Sequence, residues 1–284
     1  MAETPKCMTY SSVVGRETVR IALTIDALNN LQVKAGNEMN AYVTATCSKK
    51  IWTVLGKEFG ADQGKKAIIV RALYGIKSSG AAFHAHLADC MRSIGYTPCR
   101  GDNDLWMKPE IELYGDEYYS YILCYVDDVL VVHHDAMITL MKIDKYFKLK
   151  PSSIGDPDIY LGANLKYTHA ENGVWCWTLS PFKYVQEACK NCETFLKKNF
   201  DGKHSLLKMA PKPFVGGYRP ETDMTDPLDS DRASYYQTMI GVMRWMVEIG
   251  RIDIATKCSL LSSHLVYHCE GHFECNFHTM GYLK

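Results

Sequence analysis

Between Arg16 and Asn30 the apolar residues Val19, Ala22, Leu23, Ile25 and Leu28 recur at helical intervals, and the spacing predicts a helix leading into a strand over "LQVKAGN". "SKKIWTVLG" and "KKAIIVRALYG" gather β-branched and aromatic residues on either side of the polar, Gly-marked "KEFGADQG", which predicts two strands and a loop. The Ala-rich "GAAFHAHLADCMRSIGY" sets Phe83, Leu87, Met91 and Ile94 on one face of a helix that stops at Gly95. "YILCYVDDVLVV" reads as strand, tight turn, strand, and "DAMITLMKIDKYFKLK" as a helix with Asp135 near its N-terminus. Two strands over "IYLGANLKYT" and "VWCWTLS" follow, then a helix opened by Pro181. A Pro- and Gly-marked break from Pro211 to Pro220 runs into the acid-rich "ETDMTDPLDSD", and two helices joined around Gly250 complete the pattern. Neither the alternating strands nor the amphipathic helices can bury an apolar face alone. The pattern therefore predicts a mixed sheet backed by at least two helices, with the Asp127–Asp128 hairpin at one edge of an open cleft.

A chain of 284 residues can bury a sizeable core. Lys+Arg and Asp+Glu are equal at 32 each, so the overall balance does not point to a polyanionic partner, though a local positive groove is compatible with it. The 11 cysteines are irregularly spaced and no secretory-type segment opens the chain, which suits reduced thiols and an intracellular location. No apolar run approaches the roughly 20 residues that span a bilayer, so no membrane partner is expected.

Asp127 and Asp128 lie between two apolar runs, where an uncompensated carboxylate is costly. Two explanations suit the residues alone: a hairpin tip that faces water, or a pair of acids that holds divalent ions through oxygen ligands. Other candidate groups are weaker. His264, His268 and His272 fall four apart near Cys269, Cys275 and His278, a nitrogen and sulfur set of the kind zinc prefers, but Glu270 and Gly271 are expected to interrupt the helix that would align them. Cys189 and Cys192 form a lone Cys-x2-Cys pair on a predicted helix. Trp175 and Trp177 share a strand face, suited to packing or to stacking on bases.

"CYVDDVLV" resembles the tyrosine-x-aspartate-aspartate motif of reverse transcriptases. "EMNAYV", "IIVRALYGIKSSGAAFHAHL", "YLGANLKY", "YYQTMIGVMRWMVEIGRIDIATKCSLLSSHL" and "HTMGYLK" surround it in the order seen in the Ty1/copia class of long-terminal-repeat retrotransposon polymerases. The resemblance implies an α+β fold: a reverse-transcriptase-like palm with partial fingers over 1–165, a thumb-like segment over 166–215, and a helical connection segment over 216–284. It implies RNA-directed DNA polymerase activity with two Mg2+ ions, Asp127 and Asp128 being metal-binding carboxylates and Tyr125 the aromatic residue beside them. It further implies that Tyr42 selects deoxynucleotides and that Tyr74, Gly75 and Lys77 line the template and nucleotide pocket. The implied partners are an RNA or DNA template with primer and dNTP. The integrase and ribonuclease H neighbours of the polyprotein, and the upstream basic finger segment, are expected to lie outside this chain.

One position departs from the pattern. Where the family carries its first metal-binding aspartate, this chain has Asn37, a neutral oxygen donor in place of a charged one. Adjacent residues on a strand face opposite ways, so Glu38 replaces the missing carboxylate only through a bulge or shifted register. The expectation is an impaired or inactive polymerase. A catalytically dead nucleic-acid-binding remnant is the first alternative and a zinc-stabilised interaction protein the second.

Overall fold

The computed structural model describes residues 9, 11–112, 114–200 and 208–284, in two compact units. One comprises residues up to Pro157 together with His169–Trp177, and the other Asp158–Thr168 with Thr178–Lys284. This is a division by packing, separate from the functional segments that the resemblance implies.

In the first unit, strands β1 (Gln32–Asn37), β4 (Thr97–Pro98), β5 (Leu105–Ile111), β6 (Glu117–Tyr125) and β7 (Asp128–His133) form a sheet in the order β1-β7-β6-β5-β4. Every pairing is antiparallel, which corrects the expected mixed sheet, and β6 and β7 are interior strands. The physical reason is local: β4, β5, β6 and β7 meander through short connections, which cannot make the crossover that a parallel pair requires. Val129, Leu130, Val131 and Val132 are all fully buried, so both faces of β7 are covered. Helices α3 (Ser79–Ser93) and α4 (Ala136–Tyr146) pack with Ile122, Cys124, Val129 and Val131 on one face, while α1 (Arg16–Asn29) lies against β1 and β7. Asp135 caps α4 by accepting a hydrogen bond from the Ile138 amide. Strands β2 (Thr46–Val54) and β3 (Lys66–Arg71) pair as a separate antiparallel ribbon, joined through a 3-10 turn at Lys57–Asp62. The "NAYV" stretch lies in α2 (Ala41–Thr44), a single helical turn, so Tyr42 does not pack as a strand residue.

In the second unit, β8 (Ile159–Tyr160) turns through Leu161 and Gly162 into β9 (Ala163–His169), and the unit boundaries fall inside β9 and β10 (Trp175–Ser180). Its core is helical. Val185, Cys189, Cys192 and Leu196 form the inner stripe of α5 (Phe182–Asn199), and Tyr236, Met239, Ile240, Met243 and Met246 that of α6 (Ser230–Glu248). Helices α7 (Ala255–Ser262) and α8 (Glu270–Leu283) complete it. Glu270 and Gly271 open α8 and do not interrupt it: Cys269 has extended backbone angles at the cap, and the His272 ring accepts a hydrogen bond from the Cys269 amide. Among the described residues no helix is long and apolar enough to cross a membrane.

Candidate active site

The β6–β7 hairpin turns through Val126 and Asp127, and Tyr125 pairs with Asp128 across it. Val126 adopts φ 56°, a left-handed angle that is costly for a β-branched residue and that permits a two-residue hairpin loop. The strain sits where the chain presents Asp127. Strand β1 pairs with β7 in an unbroken register from Gln32↔His133 to Asn37↔Asp128, bringing Asn37 directly opposite Asp128.

The chain between Phe147 and Ser153 closes this strand end. The Met39 amide donates to the Lys148 carbonyl at 2.7 Å, the Lys150 amide to the Asn37 carbonyl at 2.8 Å, and the Asn37 amide to Ser153 Oγ at 2.8 Å. Lys150, which the sequence pattern did not single out, thereby joins the site. Its Nζ donates to Asn37 Oδ1 and lies 4.0 Å from Asp127 Oδ2, while Asn37 Nδ2 donates to Asp128 Oδ1. The opposite amide orientation would set an oxygen against a carboxylate and an NH2 against an ammonium, so the neighbours fix it. The Asp128 carboxyl titrates above its ordinary range, chiefly because burial disfavours its charge; Asp127 adds to the rise, and the Asn37 hydrogen bond and Lys150 oppose it.

Glu38, the next residue, is buried, whereas Asn37 is only partly so. With the register unshifted at Asn37, the Glu38 side chain enters the core, 1% exposed, where neither carboxyl oxygen has a hydrogen-bond partner. Burial, with Asp127 as the second cause, raises its pKa from an ordinary 4.5 to about 8. It is therefore protonated at neutral pH and does not supply the missing negative ligand.

The other expected site residues form a second group. Tyr42 stacks on Tyr74 with ring centroids 4.6 Å apart and packs against Phe83 at 5.7 Å. Gly75 has φ 89°, where a side chain would be strained, and both it and Lys77 are exposed in the turn after β3. Thus Asn37, Asp127, Asp128 and Tyr125 share the strand ends, whereas Tyr42 and Tyr74 share a stack.

The histidine and cysteine candidates are engaged elsewhere. His272 uses both ring nitrogens, one accepting from the Cys269 amide and the other facing the Pro220 carbonyl at 2.9 Å, and its ring stacks on His264. His268 stacks on Tyr236, and Cys189 and Cys192 are core positions of α5. Trp177 donates to Asp26 Oδ2 at 2.5 Å, while Trp175 packs tilted against the His169 ring. Among the described residues no group of three or more His, Cys, Asp or Glu side chains is placed to hold a metal ion.

A family model described as "Reverse transcriptase (RNA-dependent DNA polymerase)" matches residues 3–197. Over 281 residues the chain is 22% identical to a retrovirus-related Pol polyprotein from transposon RE1 of Arabidopsis thaliana, covering 97% of this chain and 17% of that protein. Over 214 residues it is 25% identical to a putative transposon Ty5-1 protein of Saccharomyces cerevisiae, covering 74% of this chain and 62% of that protein. A Pol polyprotein from transposon RE2 of Arabidopsis thaliana is 23% identical over 164 residues, covering 56% of this chain and 11% of that protein. The chain thus spans less than two thirds of the length of each relative. No solved structure gives a significant match.

Proposed function

This chain belongs to the reverse transcriptase (RNA-dependent DNA polymerase) family, and from that premise we propose that it is a copia-type reverse transcriptase domain whose nucleotidyl transfer is impaired at its first acidic position. The observation that carries the impairment is the pairing of Asn37 with Asp128, with the amide NH2 of Asn37 donating to that carboxylate. Reverse transcriptases as a family use divalent metal ions. The residues here do not fit a two-ion site. They supply two carboxylates, an amide whose oxygen already accepts from Lys150, and an ammonium 4.0 Å from Asp127. In this reading Asp127 and Asp128 are the surviving acids of the reaction centre, the Tyr42–Tyr74 stack is the sugar-facing wall, and Lys77 is the exposed cation available to phosphate. The template, primer and dNTP are the corresponding partners.

Loss of a single charge-stabilising group at a reaction centre lowers the rate by about 10²–10³. Extension of a labelled primer on RNA and DNA templates, with magnesium or manganese, tests this reading. The unaltered chain is expected to extend weakly or not at all, Asn37→Asp to gain activity, and an Asp127→Asn/Asp128→Asn chain to be silent. Robust extension by the unaltered chain, lost in the double variant, refutes the impairment. A silent Asn37→Asp chain that still binds primed template supports instead a nucleic-acid-binding remnant, which the engagement of Asn37 and Lys150 within the acid group also favours.

A further inference from the structure

The arrangement around Asp127 and Asp128 is already neutralised in part from within the chain. Lys150 is not a freely rotating surface lysine at this point. Its backbone is pinned by its amide to the Asn37 carbonyl at 2.8 Å, and its carbonyl accepts from Ser153 Oγ at 2.8 Å. From that anchor the side chain reaches back over the strand end, where Nζ donates to Asn37 Oδ1 and stands 4.0 Å from Asp127 Oδ2. Asn37 passes the polarity on, accepting from Lys150 with its oxygen and donating to Asp128 with its nitrogen. One ammonium thus serves both carboxylates, directly at Asp127 and through the amide at Asp128, and the group keeps one net negative charge.

We propose that the Lys150 ammonium is the resident counter-ion of the Asp127–Asp128 pair, and that a divalent cation reaches these carboxylates only by displacing it. The proposal rests on the reading of these acids as the reaction centre, and deepens it with a reason for weak cation binding that is separate from the charge missing at position 37. A like charge about 4 Å from the entering ion opposes binding of a divalent cation by on the order of thirtyfold in a water-like dielectric.

The test is a titration of the full chain with Mn2+ alone, without nucleic acid, reading bound ion by electron paramagnetic resonance. Lys150→Met, which keeps the apolar stem and removes the charge, is expected to bind Mn2+ about thirtyfold more tightly than the unaltered chain. Lys150→Arg should bind as weakly as the unaltered chain, and adding Asp127→Asn/Asp128→Asn should abolish the gain. The Lys150 side chain is 46% exposed and its backbone contacts do not depend on it, so the fold is expected to tolerate the change; Lys150→Gln supplies a second neutral variant. Unchanged or weaker binding in the folded neutral variants overturns the proposal, as does a gain that survives loss of both carboxylates. Primer extension run in parallel separates the two claims. A tighter Mn2+ site in Lys150→Met with no extension by an Asn37→Asp chain sustains the counter-ion while removing the polymerase reading, and extension by Asn37→Asp without a binding gain in Lys150→Met does the reverse.

Discussion

Glu38→Gln is expected to remove most of the loss of stability that the first unit of the unaltered chain shows as the pH rises from 5 to 8. In the unfolded chain the Glu38 carboxyl releases its proton near its ordinary 4.5, whereas the folded chain holds it to about pH 8, chiefly because burial without a hydrogen-bond partner disfavours the charge. Between those values the folded state binds a proton that the unfolded state has lost, so raising the pH favours unfolding. The contribution is whole below pH 4.5 and is lost as the pH rises through about 8. At about 1.4 kcal/mol per pH unit the full amplitude is on the order of 5 kcal/mol, most of which falls between pH 5 and pH 8. That is a large part of the stability of an ordinary domain, about 5–15 kcal/mol. Glutamine keeps the shape and removes the ionisation. Urea unfolding at pH 5, 6, 7 and 8 measures it: the midpoint of the unaltered chain should fall by about 1–3 M more than that of the variant over this range. Parallel pH dependence in the two chains would show that Glu38 is not held protonated, and would reopen it as an anionic neighbour of Asp127.

Val126→Gly should raise the thermal unfolding midpoint, because relief of the left-handed angle, about 1–2 kcal/mol, exceeds the added chain entropy of glycine, about 0.5–1 kcal/mol; a lower midpoint would show that Val126 is unstrained. Trp177→Phe removes the indole donor from the buried Asp26 carboxylate and is expected to destabilise by about 1–3 kcal/mol in denaturant unfolding. It should also push the Asp26 carboxyl, already raised by burial, further up, which a shift of its titration by carboxyl-carbon NMR would register.

The local elements that could be read along the chain were those carrying their own period and punctuation. The helix from Arg16, the helix ending before Gly95 with its φ of 91°, the Asp135 cap and the β6–β7 hairpin each follow from side chains a few residues apart. The departure at Asn37 was legible too, since it needs only the order of residues around "NEMNAYV". The placement of β5 was hidden because Lys108, Pro109 and Glu110 interrupt any apolar alternation, and the strand is held by its pairing with β6. Helix α8 was hidden because its start depends on the Cys269–His272 capping contact, which local helix propensity does not encode.

Three features of the site depended on tertiary structure, and for one reason. Whether Glu38 serves as a ligand turned on the β1–β7 register, a pairing between residues about ninety positions apart, since a shift of one residue would exchange it with Asn37. The orientation of the Asn37 amide turned on having an ammonium on one side and a carboxylate on the other. The recruitment of Lys150 turned on backbone hydrogen bonds that fasten the chain after α4 to the end of β1. Side-chain type along the chain reveals which groups are available and which is missing. The field each group experiences, and therefore its charge and its partner, is set by long-range strand pairing and burial that no short stretch contains.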